Sequence, residues 1–149
     1  MFEIDYDFEE PCLEDITDPD EMSLRQKHFL GNLHFRKDDD SFEIDHQKVP
    51  IIDSAFSMIR ICEGLIRKKD GREDFELSQT NKKITFHKVD GQVKIIPSFS
   101  VTTLEMSTED FRDGIKKFYR KVLIEVMKNS SSLRINALLF GYLKEAEAI

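Results

Sequence analysis

The first nine residues, MFEIDYDFE, set Phe2, Ile4, Tyr6 and Phe8 in strict alternation with Glu3, Asp5, Asp7 and Glu9. A period of two places the apolar side chains on one face of a strand and the carboxylates on the other. An unstructured acidic tail has no reason to carry three aromatics in register, so the spacing predicts an ordered strand with one face on the core. Residues 10–22, with Pro11 and Pro19 among scattered acids, read as a loop with at most one short helical turn. HFLGNLHFR (28–36) and SFEIDHQ (41–47) flank a polar stretch rich in Asp and predict a hairpin with a longer loop. The tetrapeptide FEID occurs at 2–5 and again at 42–45, and both copies share the apolar/acidic alternation.

From Pro50 the period changes. Ile51, Ile52, Ala55, Phe56, Ile59, Cys62, Leu65 and Ile66 recur at three-to-four spacing, which predicts an amphipathic helix that starts at Pro50 and ends in RKKDG. A three-strand meander follows over 73–79, 82–89 and 92–101. Asp90-Gly91 marks a two-residue type I′ hairpin turn, and Pro97 ends the third strand or places it at an edge. Residues 107–129 predict a helix capped by Ser107 or Thr108, with acidic residues in its first turn. Its apolar stripe runs through Phe111, Ile115, Phe118, Tyr119, Val122, Leu123, Val126 and Met127. Asn129 and the three serines after it break the pattern, and a last helix follows from Leu133, weakened by Asn136 and Gly141. Strands and helices segregate along the chain. The expected architecture is a single α+β domain over 1–149, an antiparallel sheet of about five or six strands packed on one face by two or three helices.

Composition fits that reading. Hydrophobic residues make up 40% and Phe occurs twelve times, enough for a core without disulfide or metal staples. No stretch approaches the ~20 apolar residues of a membrane span, and the acidic start is the opposite of a signal peptide's basic one. The chain therefore reads as soluble and cytoplasmic. The net charge of −7 is unevenly placed: ten of the 29 acidic side chains fall in residues 1–21, which hold no Lys or Arg, so the remainder sets 19 acidic against all 22 basic ones. Of the two cysteines, Cys62 falls on an apolar helix face and reads as a small buried hydrophobe; Cys12 has no CxxC or metal-spaced neighbour.

The search for chemistry narrows the function classes. His28, His34, His46 and His87 show no HxH, HExxH or HxxxH spacing, so no metal is expected. No GxSxG, Walker loop or GxGxxG occurs. The acidic runs at 14–21 and 38–41 lack the central Gly and terminal Glu of a calcium loop and read as solvated turns. No enzyme signature and no cofactor is indicated. Two charged surfaces remain. The acidic one comprises Glu3, Asp5, Asp7, Glu9 and Glu10 on and beyond the first strand, with Asp38, Asp39 and Asp40 in the hairpin loop, and it would attract and steer a basic protein. Against it stands the plainer reading that charge on an edge strand only blocks edge-to-edge pairing. The basic surface is the helix column Arg112, Lys116 and Arg120, with Lys117 and Lys121 beside it, which could touch nucleic-acid phosphates.

In layout the chain resembles the small acidic immunity proteins that bacteria encode beside polymorphic toxins, including those of contact-dependent growth inhibition. The resemblance is one of architecture. It rests on the alternating strand start, the GNLHF and SFEID strands, VPIIDSAF at the start of a helix, ITFHKVDGQVKI as a hairpin, and a charged C-terminal helical region. It implies a non-enzymatic inhibitor that binds a cognate toxin domain, often a nuclease with a basic cleft, and blocks it in the producing cell. It assigns a role to no particular residue. The alternative is a nucleic-acid-associated regulator that uses the basic helix face.

Overall fold

The computed structural model describes residues 1–8, 29–77, 80–128 and 133–149. Among them the chain forms β1 (Phe2–Phe8), β2 (Leu30–Lys37), β3 (Asp40–Pro50), α1 (Ile51–Arg67), β4 (Gly71–Glu76), β5 (Lys83–Val89), β6 (Gln92–Pro97), β7 (Leu104–Ser107), α2 (Thr108–Lys128) and α3 (Leu133–Glu147). The class is α+β and every described strand pairing is antiparallel. The strands do not join in one sheet of five or six. They form a three-stranded sheet ordered β1-β2-β3 and a four-stranded sheet ordered β4-β5-β6-β7. The division falls where α1 is inserted, since the chain leaves the first sheet at Pro50 and re-enters strand geometry at Gly71 with new partners. The loop expected over 10–22, together with Glu9, Glu10, Cys12 and His28, lies outside the described residues, as do 78–79 and the helix break at 129–132.

The two hairpin turns differ from each other in chemistry. Asp90 and Gly91 both have positive φ, 52° and 77°, as a type I′ turn requires. In the first hairpin Lys37 pairs with Asp40, so the turn is only Asp38 and Asp39, shorter than the expected loop. Asp38 makes this possible by taking φ 54°, a left-handed conformation that Asp tolerates. Ser107 caps α2, its hydroxyl accepting the amide of Asp110 at 3.1 Å. β7 was not anticipated. It is four residues long, LEMS, and among the described residues pairs only with β6.

Aromatic rings join the two sheets to the helices. Phe2 stacks on Phe111, whose ring also meets Phe86 of β5, and Phe42 of β3 meets Phe99 beyond β6. α2 lies against β1 at Gly114, where an added Cβ would stand 2.4 Å from a Phe2 ring carbon and 2.7 Å from the Phe2 carbonyl oxygen. A side chain at position 114 would hold the strand off the helix. Lys88 is 8% exposed, and its ammonium donates to the carbonyls of Leu65 at 3.1 Å and Lys68 at 2.8 Å. It thereby caps the C-terminus of α1, where the helix dipole favours a cation.

Candidate partner-binding face

The alternation read in β1 holds. Phe2 and Ile4 are buried, while Glu3, Asp5 and Asp7 line the opposite face. Register then fixes their neighbours. Glu3 stands beside Arg36, Asp5 beside His34, and Asp7 beside Asn32; Arg36 is followed by Ser41 of β3, and His34 by Glu43. Asp45 continues the exposed row of β3. The two FEID segments are therefore the outer strands of one sheet. Each gives its Phe and Ile to the core and its carboxylates to the same outer face. Strands lie about 4.8 Å apart, so the acidic rows of β1 and β3 are separated by about 10 Å, with carboxylates about 7 Å apart along each. Between them run Asn32, His34 and Arg36, and among the described residues five carboxylates share the face with one guanidinium.

The carboxylates of β1 are partly neutralised from within. The Arg36 guanidinium binds Glu3 and lies 4.0 Å from Asp5. From α2, Lys117 reaches Glu3 at 3.8 Å and Lys121 reaches Asp5 at 3.9 Å around the edge of β1 away from β2. The hydrogen bond from Arg36, aided by the charge of Lys117, holds the Glu3 carboxyl below the ordinary carboxylate range. Asp7 accepts a hydrogen bond from the Asn32 amide at 2.7 Å. In the turn, Asp39 and Asp40 are exposed, and Asp38 lies 3.3 Å from the amino group of Met1 and 3.7 Å from Lys37. The expected site is thus distributed over β1 and the β2–β3 turn. Glu43 and Asp45 belong with it, and the signal that would have found them is the second FEID.

The expected basic stripe is divided. Lys117 and Lys121 lean to β1, and Arg120 lies 3.9 Å from Glu147 of α3. Arg112 lies 3.9 Å from Asp113. With Lys116 it is also close enough to Cys62 of α1 to draw that thiol's ionisation down, against a burial that pushes it up to about 12. The five cations thus serve two sides of α2. Behind them, Tyr6 donates its hydroxyl proton to the Glu125 carboxylate, with the Lys121 carbonyl 3.3 Å away. Burial, and then the Glu125 charge, raise the Tyr6 hydroxyl well above the ordinary tyrosine range.

A crevice of about 310 Å³ between α1 and the edge strand β4 is lined in part by Asp53, Arg60, Asp74 and Glu76. Asp74 accepts the Thr85 hydroxyl at 2.9 Å, which holds its carboxyl low and ionised rather than poised for proton transfer. Among the described residues no three His, Cys, Asp or Glu side chains converge as metal ligands, and no helix is long and apolar enough to cross a membrane. No protein-family model, curated protein sequence or solved structure matches this chain.

Proposed function

We propose that this chain is a non-enzymatic binding protein that neutralises a cognate toxin domain by docking the outer face of β1–β3 on a basic surface of that domain. The observation that carries the reading is the placement of the two FEID segments as the outer strands of one sheet, which gathers Glu3, Asp5, Asp7, Glu43 and Asp45 around a single Arg36. Two parallel rows of carboxylates on a rigid sheet repel nucleic acid and offer a basic cleft the anionic pattern it evolved to hold. Asp38, Asp39 and Asp40 extend the same negative field to the end of the hairpin. Lys117 and Lys121 lie 3.8 and 3.9 Å from Glu3 and Asp5, so replacing Asp7, Glu43 and Asp45 tests the face without disturbing those two ion pairs.

The test pairs this chain with the protein encoded by the adjacent open reading frame and follows association by stopped flow at low and high salt. Replacing Asp7→Asn, Glu43→Gln and Asp45→Asn together is expected to slow association by about tenfold or more, and to flatten its dependence on salt. An unchanged rate and an unchanged salt slope would show that the partner uses another surface. Growth of cells expressing the neighbouring protein, with and without this chain, reads the inhibition directly; no rescue would remove the toxin-neutralising part of the proposal.

A further inference from the structure

The outer side of α2 carries a second concavity, opposite in charge to the sheet face. It is a groove of about 630 Å³ lined by Tyr6, Lys117, Arg120, Lys121, Ile124, Glu125 and Lys128. Ile124 is 38% exposed and lines the groove with Tyr6, over whose ring the Lys121 ammonium sits 5.6 Å from the centroid, and four cationic side chains share the lining. The one carboxylate in the lining, Glu125, is engaged by the Tyr6 hydroxyl. The cations are held only loosely: Lys117–Glu3, Lys121–Asp5 and Arg120–Glu147 are ion pairs of 3.8–3.9 Å whose basic side chains are 66%, 60% and 56% exposed. Exposed pairs at such distances contribute little and exchange readily for another anion.

From Lys117 to Lys128 the helix advances about 16 Å, the length of four to five stacked nucleotides at about 3.4 Å each. We infer that this groove binds a single-stranded nucleic-acid segment, its phosphates on Lys117, Arg120, Lys121 and Lys128 and a base against the exposed Ile124 side chain beside Tyr6. A groove that combines exposed apolar surface with four cations suits a chain that presents flat bases on one side and fixed negative charge on the other. The site is built from a different part of α2 than Arg112 and Lys116, whose charges are felt at Cys62 of α1. It stands whether or not the acidic sheet face binds a toxin.

The experiment is a fluorescence-anisotropy titration of labelled oligo-U and oligo-dT, about 12 nucleotides long, with the full chain. Four phosphate contacts to a single strand predict that affinity falls about 50-fold between about 50 and 200 mM salt. The Lys117→Gln, Arg120→Gln, Lys121→Gln, Lys128→Gln variant is expected to lose this binding, and an Arg112→Gln, Lys116→Gln variant to keep it. Lys128→Gln alone, at an exposed helix end, should lower the log–log salt slope by about 0.7. The inference is overturned if the wild-type chain shows no binding at low salt, or if the Arg112/Lys116 variant loses as much as the groove variant. It is also overturned if polyglutamate displaces the oligonucleotide better than polyphosphate does, because the groove would then be built for an acidic protein segment.

Discussion

Replacing Gly114 and Gly141 separately by alanine tests the contact that seats β1 on α2. Both glycines lie inside helices, and each Gly→Ala change should gain about 0.8–1 kcal/mol of helix propensity. At Gly141 nothing lies within 4 Å of an added Cβ, so the gain is expected in full, with a rise in Tm of about 2–4 °C. At Gly114 the added methyl would stand 2.4 Å from a Phe2 ring carbon and 2.7 Å from the Phe2 carbonyl oxygen. To restore ordinary contact, the Phe2 ring must retreat by about 1.1–1.6 Å. Phe2 is 1% exposed and stacked on Phe111, so the retreat opens packing on both sides of the ring. Overpacking of this kind costs about 1–3 kcal/mol. The two substitutions should therefore differ by that amount and have opposite sign, with Gly114→Ala about 0–2 kcal/mol less stable than wild type. The chain has no Trp, so urea unfolding is best followed by far-ultraviolet circular dichroism. If Gly114→Ala proves as stabilising as Gly141→Ala, the close seating of β1 on α2 is refuted, because propensity is common to both sites. A Phe2→Leu background should relieve Gly114→Ala only in part, because the Phe2 carbonyl oxygen stays 2.7 Å from the added methyl, and should leave Gly141→Ala unchanged.

Two further predictions concern groups whose ionisation the fold suppresses. Tyr6→Phe removes the hydrogen bond to Glu125 and is expected to cost about 1.5–3 kcal/mol, the range for a bond to a charged acceptor. The raised Tyr6 ionisation in the folded state means that its contribution is complete below the unfolded tyrosine pKa of about 10 and is lost as pH rises above it. Wild type should therefore lose more stability than Tyr6→Phe between about pH 9 and 11; equal losses in thermal melts would count against the half-buried Tyr6–Glu125 pair. Cys62 is fully buried with its thiol pushed up to about 12, so in a Cys12→Ser background it should react with a thiol reagent at about pH 8 only as fast as the protein opens. Rapid stoichiometric labelling of the native protein would show that the thiol is accessible.

Local elements were legible in this sequence because each left a periodic trace. The Phe2–Phe8 alternation, the Asp90-Gly91 turn and the stripe from Phe111 to Val126 each determine which side of an element faces inward, and the structure follows them. Alternation tells a strand which face to bury but not which strand to pair with. The break into two sheets therefore depends on tertiary partners such as Phe42 with Phe99, far apart along the chain. β7 was missed because LEMS allows only two turns of the period-two pattern and runs directly into α2. The face built around Glu3 was half legible. Its β1 residues could be named, whereas Glu43 and Asp45 needed the knowledge that the second FEID pairs across β2. The pairing of Glu3 and Asp5 with Lys117 and Lys121 joins residues over a hundred positions apart, a relation no local pattern records.

The position of Lys88 also bears on how the second sheet keeps its alignment. By hydropathy Val89 should face the core and Lys88 the solvent, yet Val89 is 43% exposed and Lys88 8%. Alternation from Ile84 and Phe86 dictates this arrangement, and the carbonyls of Leu65 and Lys68 make it tolerable. A slip of β5 by one residue would send Ile84 and Phe86 outward and carry the ammonium away from the Leu65 and Lys68 carbonyls it binds. Lys88 thus acts as a registration pin. It ties the alignment of the β5–β6 hairpin to the end of a helix formed earlier in the chain, so that only one pairing of the second sheet completes both.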